Sequence, residues 1–196
     1  MKLEEILTIR QLEIATLIAD GLQSSAIAEK LRIGRRTVES HRKVIKQRLE
    51  LQLAKEAAEL AGVATTSNQK ALHMKVGPAV IVHFLVAKGH VKPKFQPTQN
   101  EPGLHSILGQ QEYNVLLLLA AGYTNKEICD ELVSRINVRT VETHRAHIYE
   151  KLKKSYEVTS ASVAGLTHFA LARKLLPLKF TPSRERVAVD LSPEVS

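Results

Sequence analysis

Residues 139–145 read RTVETHR, and residues 36–42 read RTVESHR. The two heptapeptides differ only at Thr143 and Ser40. A phrase said twice in a chain of 196 residues marks an internal repeat before it marks anything else. Outward from it, Leu7 matches Leu108, Leu17 matches Leu118, Gly21 matches Gly122, Ile27 matches Ile128 and Leu31 matches Leu132. Two residues then enter the second copy, so that Ile33 pairs with Ile136. Ile45 matches Ile148, and Leu49 matches Leu152. The match resumes at VHFLVAKG, Val82–Gly89, against THFALARK, Thr167–Lys174. The expected division is a first unit over 1–92, a linker over 93–105, a second unit over 106–177 and a tail over 178–196.

The local signals in each copy are helical. Thr8-Ile9-Arg10-Gln11 has the form of a capping box that opens a first helix, and Ile14, Leu17 and Ile18 follow at helical spacing. Gly21 and Gly122 stand just past the last periodic residue, where a left-handed residue ends a helix. Thr124-Asn125-Lys126-Glu127 is a second capping box. Its counterpart Gln23-Ser24-Ser25-Ala26 lacks the acidic partner and is a weaker start. Asn137 is a good N-cap for the third helix of copy two, and Gly34 an acceptable one for copy one. Short helices joined by a tight turn, the last of them basic, form the pattern of a helix-turn-helix. A helix fits the major groove, and its N-terminal end suits base edges and phosphate.

These residues carry a family resemblance. LTIRQLEIATLIADGLQSSAIAEKLRIGRRTVESHRKVIKQRL, Leu7–Leu49, resembles the LuxR/GerE-type helix-turn-helix of bacterial transcription regulators, and so does the segment Leu108–Leu152. The shared features are the opening Leu-Thr, the mid-unit Gly, the Ile-(Ala/Cys) and Leu of the scaffold helix, Thr-Val-Glu-x-His-Arg, and the closing Leu. The resemblance implies an all-α fold: two four-helix units in tandem, joined by a flexible linker. It also implies that the third helix enters the major groove, that the face at Ser40 and Thr143 points toward it, and that the fourth helix serves as a dimer contact.

Two departures stand out. The extra residues within Leu132–Asn137 are expected either to tilt the third helix of copy two or to lengthen its second. Copy one carries an insertion, LELQLAKEAAELAGVATTSN from Leu49, whose Leu, Ala, Glu and Lys predict an extension of the third helix to near Leu60 before Gly62 stops it. This extension reads equally as a partner-binding surface and as a solvated spacer. KPKFQPTQNEPGLHSI, Lys92–Ile107, reads as a Pro-containing linker. Neither a receiver or ligand-sensing segment ahead of copy one nor a sensor in the tail is expected.

The candidate DNA-binding residues are Arg35, Arg36, Thr37, Glu39, Ser40, Arg42, Lys43 and Lys46 in copy one. In copy two they are Arg139, Thr140, Glu142, Thr143, Arg145 and His147. Arg42, Arg145, Lys43 and Lys46 suit phosphate or guanine, or else a solvated face. The hydroxyls of Thr37 and Thr140 suit phosphate or local capping. Glu39 and Glu142 are stabilising at a helix N-terminus and can accept from cytosine N4. Val38 and Val141 read as core. His41, His144, His83 and His168 read as structural, because no second ligand stands at a useful spacing for a metal.

The net charge of +8 favours an acidic partner, nucleic acid ahead of membrane surface. The few aromatics supply poor stacking for single strands, so double-stranded DNA is the expected partner. A single cysteine, Cys129, excludes an internal disulfide framework and reads as a small core residue. No phosphate-cradling Gly loop, zinc-ligand quartet or nucleophile elbow is present, which argues against an enzyme and against a cofactor. The N-terminus lacks a signal-peptide layout and no stretch has the length of a membrane span, so a cytoplasmic protein is expected. No small-molecule ligand is expected.

The leading function is sequence-specific duplex binding in transcriptional control, with both units forming a single-chain pseudo-dimer. The alternative is a protein-interaction module in which only one unit binds DNA, using the fourth helices or residues 50–62 for a homodimer or partner protein. A third reading is an architectural protein without sequence preference.

Overall fold

The structure, a computed structural model, describes residues 5–60, 76–92, 103–132, 136–156, 158 and 160–176. Gly62, most of the 93–105 linker and the tail fall outside these residues. The described residues form α1 (Ile9–Ala19), α2 (Ser24–Leu31), α3 (Arg35–Leu60) and α4 (Pro78–Ala87) of the first copy. The second copy contributes α5 (Leu104–Ile107), α6 (Gln110–Ala120), α7 (Asn125–Glu131), α8 (Val138–Tyr156) and α9 (Val163–Ala172). No strand occurs among the described residues.

Helix starts follow the local chemistry. The Thr8 hydroxyl accepts from the Gln11 N–H at 3.3 Å, and the Gln11 side chain accepts from the Thr8 N–H at 3.1 Å. Thr124 and Glu127 make the same reciprocal pair at α7. Asn137 accepts from the Thr140 N–H at 2.9 Å and starts α8. In contrast, Gln23 gives α2 no side-chain cap. Gly21 and Gly122 take φ of 87° and 93°, and their N–H groups close α1 and α6 on Ile18 and Leu119.

The two insertions act differently. The α2–α3 turn passes through Arg32 in the left-handed region, with the Ile33 N–H donating to Ala28. In copy two, α7 ends at Glu131 and Leu132 is already extended. The second helix is therefore not lengthened as far as Leu132, and residues 133–135, where the insertion falls, lie outside the described residues. The other insertion does lengthen a helix: α3 has 26 residues and α8 has 19. Its added turns are not a wholly solvated spacer. Leu53 is fully buried, Gln52 is buried, and Glu56 pairs with Lys88 just past the end of α4 at 3.1 Å. At the other boundary, α5 occupies the end of the segment read as linker, with Leu104 and Ile107 packed against the core of copy two.

The two units share their interior. α4 packs on α1, α9 packs on α6, and α4 and α9 pack on each other. The core around Ile14, Ile45 and Phe84 of copy one also takes in Leu117, Ala120, Ala164, Ala170, Leu171 and Leu176 of copy two. The crossings are reciprocal. His83 on α4 lies with Nε2 2.8 Å from the Ala120 carbonyl at the end of α6, so the neutral Nε2–H tautomer donates there. Burial lowers the His83 pKa, and this hydrogen bond opposes part of that shift. In the other direction, the Ser160 and Ser162 hydroxyls at the start of α9 donate to the Gly21 carbonyl past the end of α1, at 2.7 and 3.0 Å. The resemblance implies the fourth helix as a dimer contact, and here the two fourth helices of one chain meet each other. Their apolar residues are buried against each other and against α1 and α6, and His83 and His168 are buried with them. This reciprocity means that packing, and not a flexible linker, sets how the two units sit.

Candidate nucleic-acid interface

The third helices are held by one edge. Val38, Ile45 and Leu49 of α3 are fully buried, as are Val141, Ile148 and Leu152 of α8. This register turns the opposite edge outward. On α3 it exposes Arg35, Arg36, Thr37, Glu39, Ser40, Lys43 and Lys46. On α8 it exposes Arg139, Glu142, Thr143 and His147, with Ala146 beside them. Thr140, Arg42 and Arg145 are half-buried. All fourteen residues singled out in the sequence thus lie on the two third helices, and eleven of them face solvent.

Their neighbours divide the roles. Arg35 pairs with Glu39 at 2.8 Å, so this carboxylate is partly neutralised along its own helix. Lys46 lies 3.7 Å from Glu50. Lys43 and Arg36 have no ion pair among the described residues, which leaves their charges to the solvent side. The Thr140 hydroxyl lies 3.1 Å from the Asn137 side chain and is committed to the local cap. The Thr143 hydroxyl donates back to the Arg139 carbonyl at 3.0 Å, a bond that fixes its rotamer. Copy one therefore presents a more basic outer edge than copy two, whose Lys153 and Lys154 sit in the last turn of α8.

His41 and His144 are half-buried, and His144 Nδ1 is buried without a hydrogen-bond partner. No group of His, Cys, Asp and Glu among the described residues could hold a metal. Glu112 locks α6 to α8. Burial alone would raise its carboxyl pKa, but a 2.6 Å bond from Lys151, the Gly109 N–H and the nearby charges of Lys151 and His144 bring it below the ordinary value. Cys129 is half-buried, its Sγ 3.1 Å from the Asn125 carbonyl.

Two arginines sit apart from the outer edge. Arg42 and Arg145 line one cavity between the units, together with Arg35, Glu142 and the first turn of α2. Burial lowers the Arg42 pKa, partly offset by Glu39. Ser24 and Ser25 in this cavity were not singled out from sequence. The missing acidic partner in Gln23-Ser24-Ser25-Ala26 was the signal, since an uncapped first turn keeps its N–H groups available.

Among the described residues, no helix is long and apolar enough to cross a membrane. Compared with known proteins, the chain is 40% identical over 81 residues to the oxygen regulatory protein NreC of Staphylococcus aureus, in strains JH9 and JH1 alike. That match covers 41% of this chain and 34% of the relative, so the chain spans about a third of the length of the curated relatives it matches. No solved structure matches. The family described as bacterial regulatory proteins, luxR family, matches twice, at residues 5–61 and 106–164, which together exceed half of the sequence. With the third helix of each match turning a polar edge outward, the chain belongs to the LuxR family of bacterial regulatory proteins, with two copies of its helix-turn-helix domain in tandem.

Proposed function

We propose that this protein is a sequence-specific, double-stranded-DNA-binding transcriptional regulator whose two units act as one dimer within a single chain. The observation that carries the reading is the reciprocal packing of α4 and α9, with His83 reaching the end of α6 and Ser160 reaching the end of α1. Two like units joined by the same patch on each form an isologous contact, and such a pair suits an inverted two-part site. The boundaries are those of the repeat: units over 1–92 and 106–177, with 93–105 between them and a tail over 178–196. Ser40, Lys43 and Lys46 read one half, and Thr143, Ala146 and His147 read the other. The halves are therefore unlike in sequence, and the first contributes more phosphate attraction.

The second reading keeps DNA contact in copy one alone and makes copy two a structural partner. It is favoured by the small number of exposed cations at the start of α8, where Arg139 stands with Glu142. A footprint on a duplex selected from a random library separates the two. The intact chain protects two adjacent major-groove faces. Lys43→Ala with Lys46→Ala removes one, and Thr143→Ala with His147→Ala removes or relaxes the other. An unchanged footprint and base preference after the copy-two changes would leave copy one as the sole reader.

A further inference from the structure

Between the two units lies a cavity of about 570 Å³, within the range of small-molecule sites. The N-terminal parts of α2 and α3 form one side, and α8 with the start of α9 forms the other. Arg35, Arg42 and Arg145 line it against the single carboxylate Glu142. Arg35 is already paired with Glu39. Arg42 and Arg145 are half-withdrawn from water, and neither has an ion pair or hydrogen bond among the described residues. Ser24 and Ser25 bring the uncapped first turn of α2 to the same wall. Two guanidiniums and a helix N-terminus with unsatisfied N–H groups are a donor set for phosphate. Leu22, Pro78 and Val163 add an apolar wall, against which a flat organic body can lie.

We propose that this cavity binds a small phosphorylated molecule of nucleotide size. Arg42 and Arg145 hold the phosphates from opposite units, the first turn of α2 completes the donor set, and the organic body lies on the apolar wall. A dianion seated between α3 and α8 also repels DNA phosphates brought to those helices, so occupancy opposes duplex binding. Occupancy itself does not depend on the DNA-binding reading; the antagonism does.

Calorimetry on the full chain in phosphate-free buffer tests the site, with ADP and inorganic pyrophosphate as probes and adenosine as the control. Saturable one-to-one binding is expected for both probes, tighter for ADP, and none for adenosine. Arg42→Gln with Arg145→Gln, checked for unchanged helix content and melting, is expected to weaken ADP at least about tenfold. Ser25→Glu, at an exposed position, is expected to do the same by placing a carboxylate in the donor set. Absence of saturable binding below about 1 mM for either probe, or ADP binding unaltered by both changes, overturns the proposal. A duplex titration with and without ADP separates the sources of phosphate. If the double arginine variant loses duplex affinity while ADP never binds, those side chains serve the DNA backbone and the cavity proposal fails. If ADP binds and no duplex does, the cavity stands and the DNA reading falls.

Discussion

Gly21 and Gly122 end equivalent helices with nearly the same positive φ, 87° and 93°, yet their surroundings differ. A Cβ at Gly21 would meet Ser160 Cβ at 2.6 Å, whereas one at Gly122 would find only Val80 Cγ2 at 3.7 Å. The backbone penalty for a non-glycine residue in this region is about 1–3 kcal/mol and is common to both sites. Only Gly21→Ala adds a steric conflict, and it falls where α9 of the other unit docks. Gly21→Ala is therefore expected to cost more than Gly122→Ala, by about 1 kcal/mol or more, in urea unfolding monitored by circular dichroism. Equal costs would mean that the Ser160 contact does not hold the units together. At this scale the sequence was legible wherever the partner is close in the chain. Thr8 with Gln11, Thr124 with Glu127 and Asn137 with Thr140 are all three residues apart. The partner of Gly21 is 139 residues away, and no local pattern points to it. Arg42 was legible as a cation on the third helix but not as a residue of an inter-unit cavity, for the same reason.

At the scale of the element, the long third helix shows what composition decides and what it leaves open. Strong helix formers after Leu49 predict the extension to Leu60, but they do not distinguish a free helix from a packed one, because propensity says nothing of neighbours. Packing decides it: Leu53 is fully buried and Leu51 is 57% exposed. Leu53→Ala is expected to destabilise the chain by about 2–5 kcal/mol, the cost of a cavity in a close-packed core. Leu51→Ala is expected to change stability by less than about 0.5 kcal/mol. Chemical denaturation of both variants measures the difference, and a small effect at Leu53 would return the extension to the role of spacer. The fourth helices tell the complementary story. α4 and α9 share the His-Phe pair and are apolar on almost every side, a pattern that belongs to a helix buried all round. Their sequences announce burial; only the structure shows that each is the other's cover.

At the scale of the molecule, the shared core replaces the linker as the determinant of geometry. A tether of the length seen between the units would let two free domains reach half-sites at many spacings. Two units joined through α4 and α9 have one spacing. Inserting five base pairs between the halves of the selected site moves the second half by about half a helical turn, onto the opposite face of the duplex. Affinity is then expected to fall to that of a single half, a loss on the order of 10²-fold when the second contact is made from an already bound chain. The informative companion is a chain with about ten Gly and Ser residues inserted between Pro97 and Thr98. Doubling a loop of this kind costs only about 0.6 kcal/mol in closure entropy, so the longer chain should fold and bind the original site almost as well. On the spaced site it should bind no better than the parent, because extra length does not separate helices that share a core. Gel-shift titrations of both chains on both duplexes give the four affinities required. Recovery of binding to the spaced site by the longer linker would mean that the units act as tethered beads, and that the packing of α4 on α9 is not the state that meets DNA.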